Sequence, residues 1–307
     1  MRDRFLPFRL ARFPGAFAFL LLATLCAPAL ADPLELPAAS AASQSEHHPG
    51  KVIWLDLVTP DLAGAKTFYA GLFGWTFREV PGKDREHAVA LLDGRPVAGL
   101  LQQAFAPGER RQPHWLTYLS AQDVDTVCRV ALEHGARIVV QPRTYPDRGR
   151  QAILADPQGA VFAVLDAAGG DPPDYLAEPG EWIWSSIQVT DADRDTAFYQ
   201  ALFDYEAFEL PSDDGLDHVI LSSEERARAS VNSIPADKVR RHPHWLNFVR
   251  VVDTTERVAR AVSLGGRVLV EPHPDRHGGM VAVIADPSGT PVGLLEWTMA
   301  DARQEIR

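Results

Sequence analysis

The sequence predicts an α+β protein of two tandem domains, each made of two β-α-β-β-β modules, and two observations lead to this prediction. The first is an internal repeat: Trp54 recurs as Trp184, 130 residues further along, and the same offset holds throughout. The other recurring segments are Phe68-Tyr69 and Phe198-Tyr199, Leu72-Phe73 and Leu202-Phe203, Pro113-His114-Trp115 and Pro243-His244-Trp245, Asp156-Pro157 and Asp286-Pro287, and Gly159 and Gly289. The second is that each copy alternates between the apolar periodicity of strands and that of helices.

The first module begins with an apolar strand over 52–58. Asp61 can cap a helix, because its side chain accepts free backbone N–H groups at a helix start. The apolar positions of that helix follow helical spacing: Leu62, Ala65, Tyr69, Leu72 and Phe73. Three short strands near 75–80, 87–92 and 96–102 complete the module.

The second module repeats this order, beginning with a strand over 115–119. Asp123 caps its helix and Gly135 is the expected C-cap. The helix carries Val124, Val127 and Ala131 on its apolar face. Strands near 137–140, 151–155 and 160–165 follow, and Asp156-Pro157-Gln158-Gly159 is typical of a tight turn between the last two.

These patterns predict domains over 51–166 and 181–297, a linker over 167–180 and a tail over 298–307. Residues 1–31 are typical of a signal peptide, with four early arginines, a short apolar run and a small-x-small cleavage site before Asp32. Residues 32–50 are predicted to be a flexible lead-in. We therefore expect an exported protein, periplasmic or secreted, with no membrane contact after cleavage.

Composition narrows the function classes. The formal net charge of -11 disfavours nucleic acid as a partner. Two cysteines, Cys26 and Cys128, exclude a disulfide framework and a Cys-built zinc site, and Cys128 is expected to be buried and inert. Motifs of serine hydrolases, zinc proteases and nucleotide-binding loops are absent from the sequence.

The order and doubling of these segments resemble the vicinal oxygen chelate superfamily, which includes glyoxalases, bleomycin-resistance proteins and ring-cleaving dioxygenases. The residues that carry the resemblance are Thr59-Pro60-Asp61, Phe68-Tyr69, Leu72-Phe73-Gly74-Trp75, Asp123-Val124-Asp125, Asp156-Pro157-Gln158-Gly159-Ala160 and their second-copy counterparts. The resemblance implies that paired modules form a half-open barrel around a pocket, one per domain. It also implies a divalent metal held by His or Glu.

The residues at the expected ligand positions are not metal ligands. Trp54 and Trp184 lie seven residues before the capping aspartates, and an indole has no lone pair to donate. The remaining positions are occupied by Leu116, Leu246, Ala163 and Gly293. We therefore expect no metal and no other cofactor.

Trp54 and Trp184 are expected to line the pockets, although a strand tryptophan is often simple core. Tyr118 and Phe248 can add a second aromatic surface to each pocket.

An alternative interpretation gives Asp56 and His114 a catalytic role. Because strands have a period of two, Asp56 shares a face with Trp54, and His114 shares one with Leu116. Asp56 and His114 could then form an acid–base couple or hold one divalent metal in the first domain. The corresponding second-domain residues are Ser186 and His244, so the couple would exist once. The competing interpretation is that both histidines are structural and bond neighbouring backbone groups.

The sequence thus favours a metal-independent protein that binds a small planar or apolar molecule. A metal-dependent lyase, isomerase or dioxygenase with displaced ligands is the alternative, and an interaction module with filled pockets is the third. Whether the protein is an enzyme, and its oligomeric state, are left open.

Overall fold

The computed structural model describes residues 46–81, 86–105, 112–211, 215–235, 242–275 and 279–297. The expected signal peptide over 1–31, most of the lead-in and the tail over 298–307 lie outside these ranges. A search of the described helices for one long and apolar enough to cross a membrane finds none.

Residues 52–167 form one eight-stranded sheet with two helices. The elements are β1 (Val52–Thr59), α1 (Leu62–Phe73), β2 (Thr76–Val80), β3 (His87–Leu92), β4 (Arg95–Gln102), β5 (His114–Ser120), α2 (Val124–Glu133), β6 (Arg137–Tyr145), β7 (Gly149–Ala155) and β8 (Val161–Ala167). The strand order is β2-β3-β4-β1-β5-β8-β7-β6, in which β1 and β5 meet antiparallel at the centre. Two consecutive modules of one chain therefore build the sheet.

Residues 182–296 repeat the arrangement. The elements are β9 (Trp182–Val189), α3 (Ala192–Phe203), β10 (Glu206–Glu209), β11 (His218–Ser223), β12 (Arg226–Ser233), β13 (His244–Val251), α4 (Thr254–Ser263), β14 (Arg267–Pro274), β15 (Met280–Ala285) and β16 (Pro291–Glu296). The order β10-β11-β12-β9-β13-β16-β15-β14 matches the first sheet strand for strand. The predicted α+β fold with two tandem domains is confirmed.

Aspartates begin the helices, as the sequence predicts. The Asp61 side chain accepts the Gly64 N–H, and the Asp123 side chain accepts the Thr126 N–H. Helix α2 ends one residue earlier than predicted. His134 is its C-cap, and Gly135 follows with a φ of 90°. The local chain still needs glycine there, because that φ is in the left-handed region.

Each sheet has two different faces. One packs against helices and forms the main core, and Leu55, Leu57 and Trp115 point to it. The opposite face, called here the helix-free face, carries Trp54 and Tyr118 in the first domain. The predicted burial of Cys128 is confirmed: it is a buried free thiol, and burial raises its pKa to about 11.

The helix-packed faces of the two domains meet through reciprocal contacts. The Tyr69 hydroxyl donates to Asp286 Oδ2 at 3.2 Å, and the Tyr199 hydroxyl donates to Asp156 Oδ2 at 3.1 Å. Thr117 and Asn247, which are equivalent residues, hydrogen-bond each other on β5 and β13. The repeated Phe-Tyr and Asp-Pro segments thus hold the domains together.

The last residues of the lead-in contact the linker. The His48 backbone N–H donates to Asp171 Oδ2 at 2.6 Å, and Lys51 Nζ lies 2.7 Å from Asp174 Oδ1. Arg228 of β12 pairs with Asp174 at 2.8 Å. These contacts join the chain just before β1 to the linker.

Candidate functional site

The helix-free face of the first domain holds a buried polar network. Trp54 Nε1 donates to Asp56 Oδ1 at 2.7 Å. Arg148, at the turn between β6 and β7, reaches the same carboxylate and donates to Oδ2 at 2.9 Å. Its Nε donates to Gln151 Oε1 at 3.0 Å. Both oxygens of Asp56 therefore have partners, which satisfies a carboxylate that is only 6% exposed.

Aromatic rings enclose this network. The Arg148 Cζ lies 4.6 Å from the centre of the Tyr118 ring and 5.9 Å from that of Trp54. Trp54 is 4% exposed, Tyr118 2% and Arg148 0%. Burial, and then the charge of Asp56, raise the pKa of the Tyr118 hydroxyl well above its usual value. This face is filled by its own side chains.

The helix-free face of the second domain has the same aromatic pair without the ion pair. Phe248 lies directly opposite Trp184 across β13 and β9, and both side chains are partly exposed. Trp184 Nε1 donates to Ser230 Oγ at 3.1 Å instead of to a carboxylate. Ser186 occupies the position of Asp56 and accepts from Gln188 Nε2 at 2.9 Å. This face therefore presents two accessible rings bordered by uncharged polar groups.

Further polar groups lie on the neighbouring strands of the second sheet. His218 Nδ1 and Asn232 Oδ1 are 3.2 Å apart, and both residues are partly buried. Asn232 pairs with Gln188 in the register of β12 and β9, so this pair lies beside the Ser186–Gln188 contact. Such amide, hydroxyl and imidazole groups can orient a bound molecule by hydrogen bonds.

Glycines make room for the side chains on both faces. A Cβ on Gly99 would lie 2.0 Å from Asp56 Oδ1, and a Cβ on Gly293 would lie 2.1 Å from Phe248 Cδ1. The residue opposite Asp56 must therefore be small, and the same is true of the residue opposite Phe248. In the first domain Ala163 lies opposite Tyr118, so the two faces are shaped differently at this point.

The two candidate histidines make equivalent backbone contacts. His114 Nδ1 lies 2.8 Å from the Gln112 carbonyl oxygen, and His244 Nδ1 lies 2.9 Å from that of His242. These are the backbone bonds expected from a structural role. In the sheet, His114 is opposite Val58, whereas Asp56 is opposite Leu116 and is bound by Arg148. The structure thus gives Asp56 a partner other than His114.

Arg148 and Gln151, which complete the first-domain network, were not predicted from the sequence. Arg148 is 92 residues from Asp56 and lies in a turn, so neither spacing nor periodicity connects them. A signal was nevertheless present in the repeat. At the offset of 130, the second copy has Ser186 for Asp56 and Gly278 for Arg148, so both charges are missing together.

Comparisons with known proteins agree with this fold. Residues 51–164 match the model of the Glyoxalase/Bleomycin resistance protein/Dioxygenase superfamily, and residues 184–295 match that of a glyoxalase-like domain. The anthracycline biosynthesis protein DnrV of Streptomyces peucetius is 31% identical over 267 residues, covering 81% of this chain and 94% of DnrV. The chain belongs to the glyoxalase/bleomycin resistance/dioxygenase superfamily.

Other superfamily members are similar over most of the chain. The "Putative glyoxylase CFP32" of Mycobacterium bovis is 29% identical over 255 residues, covering 82% of this chain and 97% of CFP32. Among solved structures, the Mn(II)-bound glyoxalase of Novosphingobium aromaticivorans has a TM-score of 0.57 and 14% identity, covering 82% of this chain and 83% of that one. At that identity the structural likeness shows the fold alone.

Membership of the superfamily implies a divalent metal. Whether such a metal fits depends on the donor groups on each helix-free face. In the first domain, the carboxylate there, Asp56, is occupied by Arg148 and Trp54. In the second, the groups nearest the rings are serine hydroxyls and carboxamides, which are weak ligands for transition metals, and the His218 imidazole on a neighbouring strand bonds to Asn232. Within the described ranges, no three His, Cys, Asp or Glu side chains converge on one point. These residues do not fit the superfamily metal.

Proposed function

We propose that this protein binds a small planar, largely apolar molecule on the helix-free face of its second domain, without a metal. The observation that carries the proposal is the pair formed by Trp184 and Phe248. They are direct neighbours across two strands and partly exposed, whereas their first-domain equivalents are covered. Partly exposed aromatic rings on a sheet face are suited to stacking on a flat ligand.

The polar groups around the rings suit a ligand with a few oxygen or nitrogen atoms at its edge. Ser186, Gln188 and Asn232 offer uncharged donors and acceptors beside the aromatic pair. Two relatives are named as anthracycline biosynthesis proteins, and anthracyclines are planar ring systems with polar edges. That chemistry agrees with the face of the second domain, and it makes an anthracycline a rational first probe.

The first experiment is a titration of the purified protein with a fluorescent anthracycline, following quenching of tryptophan emission. We expect saturable binding with about one ligand per chain. Trp184→Ala and Phe248→Ala should each weaken binding about tenfold or more, because loss of one stacking ring removes roughly 1–3 kcal/mol of contact energy.

The matched control is Tyr175→Ala, which removes an exposed aromatic ring of the linker. Its binding should equal that of the wild type. Binding that is insensitive to both Trp184→Ala and Phe248→Ala would contradict the proposed site. Binding that is lost on treatment with a chelator and restored by one divalent metal would contradict the metal-independent part.

We also propose that the chain is exported and cleaved before Asp32, because residues 1–31 combine a basic start, a short apolar run and a small-x-small site. Expression of the full sequence in a Gram-negative host, followed by intact-mass measurement of the periplasmic fraction, tests this. A mass that begins at Asp32 is the expected result. Full-length protein confined to the cytoplasm would contradict it.

A further inference from the structure

The first domain surrounds the Arg148 guanidinium with the groups that proteins use to bind a free organic cation. It is completely buried and ion-paired to Asp56 at 2.9 Å, with Gln151 accepting from Nε at 3.0 Å. Its Cζ lies within 6 Å of the centres of two rings, those of Trp54 and Tyr118. A carboxylate next to aromatic rings is an arrangement that recognises planar organic cations.

Arg148 enters this face from a turn rather than from a strand. Its N–H donates to the Pro146 carbonyl at 2.8 Å, and its carbonyl accepts from Ala168 N–H at 3.0 Å. The next residue, Gly149, has a φ of 115°, and a Cβ there would lie 1.9 Å from the Asp166 carbonyl oxygen. The turn backbone is thus fixed at the rim, and the side chain extends inward.

The surroundings of the guanidinium are specific to the first domain. Gly99 leaves the space that the Asp56 carboxylate fills, whereas Ser230 occupies the corresponding place in the second domain. Ser186 replaces the carboxylate, and Phe248 replaces Tyr118. Three positions therefore differ together: the second domain lacks the carboxylate, has a serine where the first domain leaves space for it, and keeps the second ring without its hydroxyl.

We propose that the helix-free face of the first domain is a binding site for a planar organic cation, a guanidinium or an amidinium, and that the chain fills it with its own Arg148. The site has a negative charge, two aromatic walls and an amide acceptor, matching the charge, the shape and the N–H groups of such a cation. As long as Arg148 is in place, the first domain is closed to free ligand. This inference does not depend on the ligand proposed for the second domain.

The test removes the internal ligand and supplies a free one. In Arg148→Ala, Asp56 is left without its cation, and the space of the guanidinium is vacated. Methylguanidinium at low millimolar concentration should raise the thermal midpoint of this variant in a saturable way, by about 3 °C at about tenfold its Kd. Methylurea, which has nearly the same shape and no charge, should leave the midpoint unchanged. The wild type should respond to neither compound.

Two control variants separate the proposed site from general effects. Arg148→Ala combined with Asp56→Asn should lose the response to methylguanidinium, because the charge that recognises the cation is gone. Arg228→Ala removes another buried arginine, one that pairs with Asp174 and Glu224, and it should not respond. If Arg148→Ala does not fold without a ligand, two other measurements test the site. One compares its refolding yield in methylguanidinium with that in methylurea, and the other repeats the thermal titration on Arg148→Gln.

Equal effects of methylguanidinium and methylurea on Arg148→Ala and on Arg148→Gln would overturn the proposal. An equal shift of the wild type, or of Arg228→Ala, would also overturn it, since the cation would then act elsewhere. Failure of the anthracycline titration would leave these outcomes unaffected, because that titration concerns Trp184 and Phe248.

Discussion

The two helix-free faces carry the same pair of aromatic positions but differ in how far the rings are exposed. Both domains place a tryptophan and a second aromatic ring opposite each other on their central strands. In the first domain, Asp56 and Arg148 add an ion pair that covers the rings, and the face is closed. In the second, Ser186 stands in place of the acid, and the rings remain accessible. The same fold thus carries one covered and one partly exposed aromatic pair.

The largest effect is expected from breaking the ion pair. Asp56→Ala leaves the Arg148 guanidinium buried without its counter-charge, and we expect it to lower the free energy of unfolding by about 3–5 kcal/mol. The equivalent change in the open domain, Ser186→Ala, removes a neutral hydroxyl and should cost about 1 kcal/mol or less. Urea denaturation of both variants measures the difference. Similar losses for the two would mean that the ion pair does not distinguish the faces.

The domains also differ where they meet. Asp195, in the first turn of α3, is 0% exposed, and within the described ranges neither of its carboxylate oxygens makes a hydrogen bond of good geometry. The same position in α1 is Ala65. Burial, and then the charge of Asp156, raise the pKa of Asp195 to about 7; Gln158, Arg194 and Asp191 also act on it. The interface around Asp156 therefore contains an additional buried carboxylate, Asp195, whereas the interface around Asp286 has Ala65 at the equivalent position.

Because the folded protein holds this proton more tightly than the unfolded chain, the contribution of Asp195 is fully present below about pH 4. It is lost as the pH rises through about 7. We therefore expect Asp195→Ala to be more stable than the wild type at pH 8, by about 1–3 kcal/mol, and to show a flatter stability profile below that. Asp193→Ala, on the exposed side of the same turn, is the control. Identical pH profiles for all three proteins would show that Asp195 does not titrate near neutrality.

Most of the fold could be predicted from the sequence, because it depends on short-range patterns. A strand period of two placed Trp54 and Tyr118 on one face, and the aspartate caps fixed the helix starts. The repeat gave the domain order. The site could not be predicted in the same way, because local patterns do not show which distant residue pairs with the Asp56 carboxylate. Arg148 satisfies it from a turn, and only the loss of both charges in the second copy indicated their connection.

The smallest effect is expected from a change in the space beside the Phe248 ring. Gly293 lies opposite Phe248, and a methyl group there would come within 2.1 Å of the ring, so Gly293→Ala must displace it. We expect the variant to bind the anthracycline probe about tenfold more weakly while its unfolding free energy falls by only about 1–2 kcal/mol. The mirror change, Ala163→Gly, acts on the closed face and should leave binding as it is. If Gly293→Ala binds like the wild type, the position of Phe248 does not matter to the ligand, and the difference in access must depend on Trp184 alone.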